Sequence, residues 1–216
     1  VPSLQTLLAF FGVAVLLALT PGPDNVFVLV QSAQRGWRAG MCVVAGLCLG
    51  LVGHTAAVAL GLAAVFAASS AAFTALKLCG AAYLAWLAWG AWRAPAGVQD
   101  LQPEAGTKAP TRRRGAGLPM VGRGVVMNLT NPKVLLFFLA FLPQFADPAR
   151  GPLARQTLVL GLVFMAATFL VFGAIACFSG AFGAVLQRSH RAQRLLNRVT
   201  ALVFLALAVR LATAQR

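Results

Sequence analysis

Two stretches of this chain, residues 39–70 and 156–187, contain no charged side chain. About 20 apolar residues cross a bilayer as a helix, and each stretch exceeds that. A soluble domain spreads about 25% charged residues over its surface. Here 10% of residues are charged and 60% hydrophobic. The same apolar excess excludes disorder. Inside lipid the backbone must satisfy its own polar groups, which at these lengths means helix. The expected fold class is all-α: a polytopic membrane protein of one domain with about six transmembrane helices.

The formal net charge is +14, from 18 Lys+Arg against 4 Asp+Glu. The basic residues cluster between apolar runs, where topology and anionic lipid headgroups favour them. No basic surface interleaved with aromatics is visible, so nucleic acid is not an expected partner. Loops one, three and five carry Arg35 and Arg38; Arg93, Lys108, Arg112, Arg113, Arg114 and Arg123; and Arg188, Arg191, Arg194 and Arg198. The opposite side has Arg150, Arg155, Arg210 and Arg216, with Lys77 near it. The positive-inside rule then places the odd-numbered loops in the cytoplasm and both termini outside.

Prolines interrupt two of the apolar elements. The run 4–19 meets Thr20-Pro21-Gly22-Pro23-Asp24-Asn25 before resuming at 26–33. The run 119–129 meets Thr130-Asn131-Pro132-Lys133, resumes at 134–142 and is expected to stop at Pro143. Each half of the chain thus has a proline-broken element, a long uncharged one and a shorter one. Repeat one covers 4–93, a polar cytoplasmic linker 94–118, and repeat two 119–214. Three helices per repeat is an odd number, so the second copy is inverted in the bilayer. Inverted repeats with matching broken helices point to a secondary transporter that binds its substrate at the breaks.

The chemistry at the breaks follows from helix ends. Pro23 and Pro132 suit the first position of a resumed helix, because the missing N–H would be unpaired there. Asn131 is a good N-cap and Gly22 an acceptable one. Two helix N-termini would then aim N–H groups and positive dipole ends inward, which suits a carboxylate. The next residues are Asp24 and Lys133. A charge at the bilayer centre costs about 2.5–3.5 kcal/mol on the insertion scale, and a cation at a helix N-terminus breaks a local rule, as functional sites do. A zwitterion fits this layout, its carboxylate at Lys133 and its ammonium at Asp24. Asp24 as a proton carrier and a fixed Asp24–Lys133 ion pair are the other two readings. Thr20, Thr130 and Asn131 are candidate hydrogen-bonding groups. His54, mid-membrane, is a candidate proton relay or a helix–helix hydrogen bond. Gly46 and Gly50 form a small-residue step for close helix packing. Tyr83, Trp86, Trp89 and Trp92 read as packing or an interface belt. Cys42, Cys48, Cys79 and Cys177 read as small buried hydrophobes, without metal or redox spacing.

The blocks Leu19-Thr20-Pro21-Gly22-Pro23-Asp24, residues 73–93 and residues 128–145 (NLTNPKVLLFFLAFLPQF) resemble the LysE/RhtB family of bacterial amino-acid exporters. The likeness spans residues 7–212. It implies a bacterial inner-membrane carrier that exports amino acids or related metabolites, driven by protons, and it is compatible with homo-oligomers. The motif positions it carries over are Pro21, Gly22, Pro23, Asp24, Asn131, Pro132 and Lys133. No cofactor and no enzymatic activity are implied.

Efflux of a toxic metal cation is an alternative, but it wants several buried carboxylates, histidines or thiolates where this chain offers Asp24, His54 and scattered cysteines. A membrane redox enzyme would need cysteines at matching repeat positions, and these are absent. An intramembrane hydrolase fails because Ser179 and His190 make no credible nucleophile pair. A membrane scaffold would leave the two charged half-helix starts unexplained.

Overall fold

The computed structural model describes residues 1–20, 22–68, 70–94, 117–179 and 190–213. Pro21, the 95–116 part of the linker and residues 180–189 lie outside the described residues, as do the side chains of Lys77 and His190. All the described regular structure is helical. Helix α1 is Leu4–Leu19, α2 Pro23–Arg35, α3 Trp37–Ala68, α4 Ser70–Arg93, α5 Gly117–Leu129, α6 Pro132–Leu136, α7 Leu153–Cys177 and α8 His190–Thr213.

Both expected breaks are present. The axis bends by 64° between α1 and α2, and by 52° between α5 and the segment Pro132–Phe145. At the first break the backbone N–H and the hydroxyl of Thr20 both donate to the Leu16 carbonyl, closing the last turn of α1. Gly36, with φ 87°, turns the chain from α2 into α3. That left-handed backbone is open to glycine at little steric cost.

Two helical boundaries differ from expectation. The second broken element does not stop at Pro143. A π turn, Phe137–Phe141, leads into a 3-10 turn, Leu142–Phe145, that contains it. The wider turn resets the hydrogen-bond register, so Pro143 falls in the first turn of a new segment, where no N–H is required. The basic stretch expected as loop five is helical from His190. Arg191, Arg194 and Arg198 occupy the first turns of α8, because arginine is a good helix former and no Gly or Pro intervenes.

Among the described residues, α3 over Trp37–Gly61 and α7 are long and apolar enough to cross a membrane. Counting each bent pair as one span gives four. Surface chemistry agrees with lipid surroundings. Leu60 is 81% exposed and Trp86 65%, whereas Asp24, His54, Asn128 and Lys133 are buried. Lipid is as apolar as leucine, so apolar side chains need not point inward. The cysteine expectation fails for this reason: Cys42 and Cys48 are half-buried, but Cys79 and Cys177 face outward on apolar helices.

Helix directions can be read from close contacts. Gly117 lies beside Cys42, Gly46 against Val121 and Gly124, and Gly50 against Asn128, so α3 and α5 run parallel. Gly40 lies beside Ala176 and Gly161 beside Thr55, so α3 and α7 run antiparallel. Helix α1 runs with α7: the ring of Phe10 sits 6.3 Å from that of Phe164, and further along Leu17 lines one cavity with Thr168 and Phe172. The core between α1, α7 and the π and 3-10 turns after α6 is largely aromatic, with Phe10 edge-on to Phe145 at 5.0 Å and Phe137 tilted on Phe164 at 5.2 Å. Helix α8 lies along α4, where Asn197 Nδ2 donates to the Ala94 carbonyl and the Arg198 guanidinium stands over Trp92. The exposed Trp86, Trp89 and Trp92 form the expected aromatic stripe, with Tyr83 stacked on Trp86.

A Cβ on Gly46 would collide with the Val121 carbonyl, and one on Gly124 with the Val43 carbonyl. Backbone cannot give way as a side chain does. Gly46→Val is therefore expected to lower the thermal midpoint in detergent by the equivalent of about 1–3 kcal/mol of overpacking. Gly12→Ala, where nothing lies within 4 Å, serves as the silent control.

Candidate functional site

The two breaks meet. Pro23 and Pro132 each open the second half of a broken helix, as the sequence implies. Asn131 caps α6, its Oδ1 accepting the Lys133 backbone N–H at 3.0 Å. Gly22 precedes α2 in extended conformation, with no side chain to cap it. Asp24 and Lys133 follow at matching positions, 3% and 7% exposed.

The Lys133 ammonium reaches across to the other broken helix. It stands 3.5 Å from Asp24 Oδ1 and donates to the carbonyls of Thr20 at 3.3 Å and Leu17 at 3.5 Å. Those carbonyls are among the last of α1, where a helix has no partners of its own and a negative dipole end. A cation beside the N-terminus of α6 is thus the C-terminal cap of α1. Asn25 completes that cap, its Nδ2 donating to the Ala18 carbonyl at 2.7 Å. Sequence reasoning gave Asn25 no role; its only signal was a polar residue beside Asp24 within the break.

The contacts of Lys133 are long. Close charge-assisted bonds run about 2.7–2.9 Å, and none of its three partners comes nearer than 3.3 Å. Gly22 sits over the pair: a Cβ there would lie 2.7 Å from Asp24 Oδ1 and 2.9 Å from Lys133 Nζ. A cavity of about 10 Å³ adjoins them, lined by Asp24, Asn128, Lys133 and Thr168 among apolar side chains. That is room for one water molecule. Three buried polar atoms nearby have no partner: Asn25 Oδ1, Asn128 Oδ1 and Asn131 Nδ2.

The remaining candidates divide. Thr20 supplies its carbonyl to Lys133, while its hydroxyl is spent on its own helix. His54 is buried on α3, its Nε2 3.2 Å from the Asn128 carbonyl, which fixes that nitrogen as the donor. His54 thus bonds α3 to the end of α5 at the second break. Thr130 is not brought to the pair. It is exposed, with its hydroxyl bonded back to the Val126 carbonyl at 2.8 Å. Gln156, unremarked in the sequence, is buried at the start of α7. It bonds the backbone of Asp147 and Gly151 and ties the preceding turn to the helix. Among the described residues no three His, Cys, Asp or Glu side chains come together to hold a metal ion.

A family model described as LysE type translocator matches residues 15–215. The chain belongs to that family. Among the relatives of this translocator, a homoserine/homoserine lactone efflux protein of Salmonella typhimurium is 34% identical over 207 residues, covering 96% of each chain. An uncharacterized membrane protein of Vibrio cholerae is 33% identical over 213 residues, covering 96% of this chain and 97% of its own. A leucine efflux protein of Klebsiella pneumoniae is 27% identical over 203 residues, covering 94% and 92%. No solved structure matches this translocator.

Proposed function

We propose that this translocator is a secondary exporter of amino acids or related small zwitterionic metabolites across the bacterial inner membrane, exchanging them for protons at the two breaks. The observation that carries the reading is the loosely held Lys133 ammonium, shared between Asp24 and the end of α1. A substrate carboxylate would take Lys133 and the N–H groups that open α2 and α6. The substrate ammonium would take Asp24. A proton on Asp24 removes the charge that an ammonium needs, so proton and substrate exclude each other there. That exclusion is the exchange logic of an antiporter. The cavity of about 10 Å³ is too small for an amino acid, so α1 must move for substrate to enter. Drawing Lys133 from the last carbonyls of α1 would release the tie that holds that helix in place.

The reading includes six spans in two inverted repeats, 4–93 and 119–214, joined by the 94–118 linker, with odd-numbered loops cytoplasmic. Parallel α3 and α5, parallel α1 and α7, and antiparallel α3 and α7 support it. Together they set the two broken helices in opposite directions. The names of the relatives support amino-acid cargo.

The test is efflux from proteoliposomes preloaded with a panel of labelled amino acids, with and without an imposed pH gradient. Gradient-driven export of one substrate class is the expected result. No export of any amino acid by folded protein would overturn the reading.

A further inference from the structure

Helix α2 carries a stripe that leads away from the site. Asp24, Val28, Gln31 and Arg35 recur at spacings of four, three and four, which is one face of a helix. At 1.5 Å per residue, Arg35 lies about 16 Å along the axis from Asp24. The far end of the stripe holds two polar side chains with unpartnered buried atoms. Gln31 is 7% exposed and its Oε1 has no hydrogen-bond partner. The half-buried Arg35 has an unpartnered buried Nε, and its guanidinium meets only the thioether of Met120, at 4.0 Å. Thioether sulfur is a weak acceptor. Among the described residues no carboxylate pairs with Arg35, since Asp24 serves Lys133 and Asp147 serves Arg150.

An unpaired acceptor and an unpaired guanidinium four residues apart on one face stand about 5–6 Å from each other at Cβ. Their chemistry is that of the main pair, Asp24 and Lys133: an acceptor for an ammonium beside a cation for a carboxylate. Arginine also matches a carboxylate in two-pronged geometry. Leaving buried polar atoms such as Gln31 Oε1 and Arg35 Nε unsatisfied is unfavourable.

We propose that Gln31 and Arg35 form an outer docking station for the amino-acid zwitterion, a waypoint between one membrane face and the Asp24–Lys133 pair. The proposal rests on the exporter reading above. At the station Arg35 takes the carboxylate, Gln31 Oε1 takes the ammonium, and Met120 is the side chain that the substrate displaces.

The experiment uses the amino acid that wild type exports fastest in the panel, so failure of the exporter reading appears there first and separately. Arg35→Gln is expected to raise the apparent KM about tenfold, the loss of one charge-assisted contact, with maximal rate and thermal midpoint unchanged. Arg35→Lys should recover part of the loss. For occupancy, the double variant Asp24→Asn with Lys133→Met, in which the central pair is neutral, is titrated with the amino acid while its thermal midpoint is followed. The amino acid should raise the midpoint saturably, since a ligand stabilises the state it binds. Its decarboxylated amine should not, and adding Arg35→Gln should abolish the rise. An unchanged KM, an equal rise with the amine, or a midpoint that the amino acid never raises would overturn the proposal. So would a KM effect that disappears when Asp100 and Glu104 are neutralised, since Arg35 would then serve the linker.

Discussion

The double substitution Asp24→Asn with Lys133→Met is expected to give a folded protein that exports nothing. The two single substitutions should fold worse than the double. Each single change leaves one buried charge alone, at a cost of about 3–5 kcal/mol, whereas replacing both charges by neutral groups of similar volume is often neutral. The order of thermal midpoints, wild type near the double and both above the singles, reports the pairing seen at 3.5 Å. Transport separates function from structure. If the pair only joined two helices, the double variant would regain export along with stability. If its members bind substrate and proton, export stays at least about 100-fold down, as expected for about 3 kcal/mol of lost charged contact. Recovery of gradient-driven export in the double variant would return the pair to a structural role.

The second large effect is expected at Gly22. Its φ of −159° is extended backbone that any residue adopts, so strain is not the issue. The added methyl of Gly22→Ala would stand 2.7 Å from Asp24 Oδ1 and 2.9 Å from Lys133 Nζ. The lysine stem can move aside, and that would draw the ammonium off the α1 carbonyls. We expect export to fall about tenfold or more, while the thermal midpoint drops by less than the equivalent of about 2 kcal/mol. The ratio is informative. A large loss of folded protein with proportionate loss of export would place Gly22 among packing residues. Export in the Gly22→Ala variant equal to wild type would mean that the space beneath Gly22 is not used.

Much of this architecture was legible because bilayers impose coarse rules. Uncharged length marked α3 and α7, and prolines marked both breaks to within a residue of Gly22 and Asn131. Gly46 and Gly50 announced a close helix contact, and the structure shows α5 as the partner. Asp24 and Lys133 stood out because charge is scarce in such segments. What was hidden depends on three-dimensional partners. Lys133 looked misplaced beside a helix start, and only the neighbouring helix end explains it. Thr130 resembled Thr20 in following a leucine just before its break, yet it is exposed. Burial of Cys79 and Cys177 was misjudged because hydropathy does not distinguish a lipid-facing position from a core one. The helical start of α8 was missed because charge was read as loop, although arginine continues a helix readily.

The two long helix pairings of this bundle differ in what they can absorb. Where α3 meets α5, backbone rests on backbone at Gly46 and Gly124, and there are no rotamers to exchange. Where α1 meets α7 and the turns that follow α6, the joint is made of rings, Phe10, Phe137, Phe145 and Phe164, which can re-seat against one another while staying in contact. One seam is a weld and the other a bearing. A displacement of α1 during export would be taken up among the phenyl rings, with α3 and α5 as the frame against which it is measured.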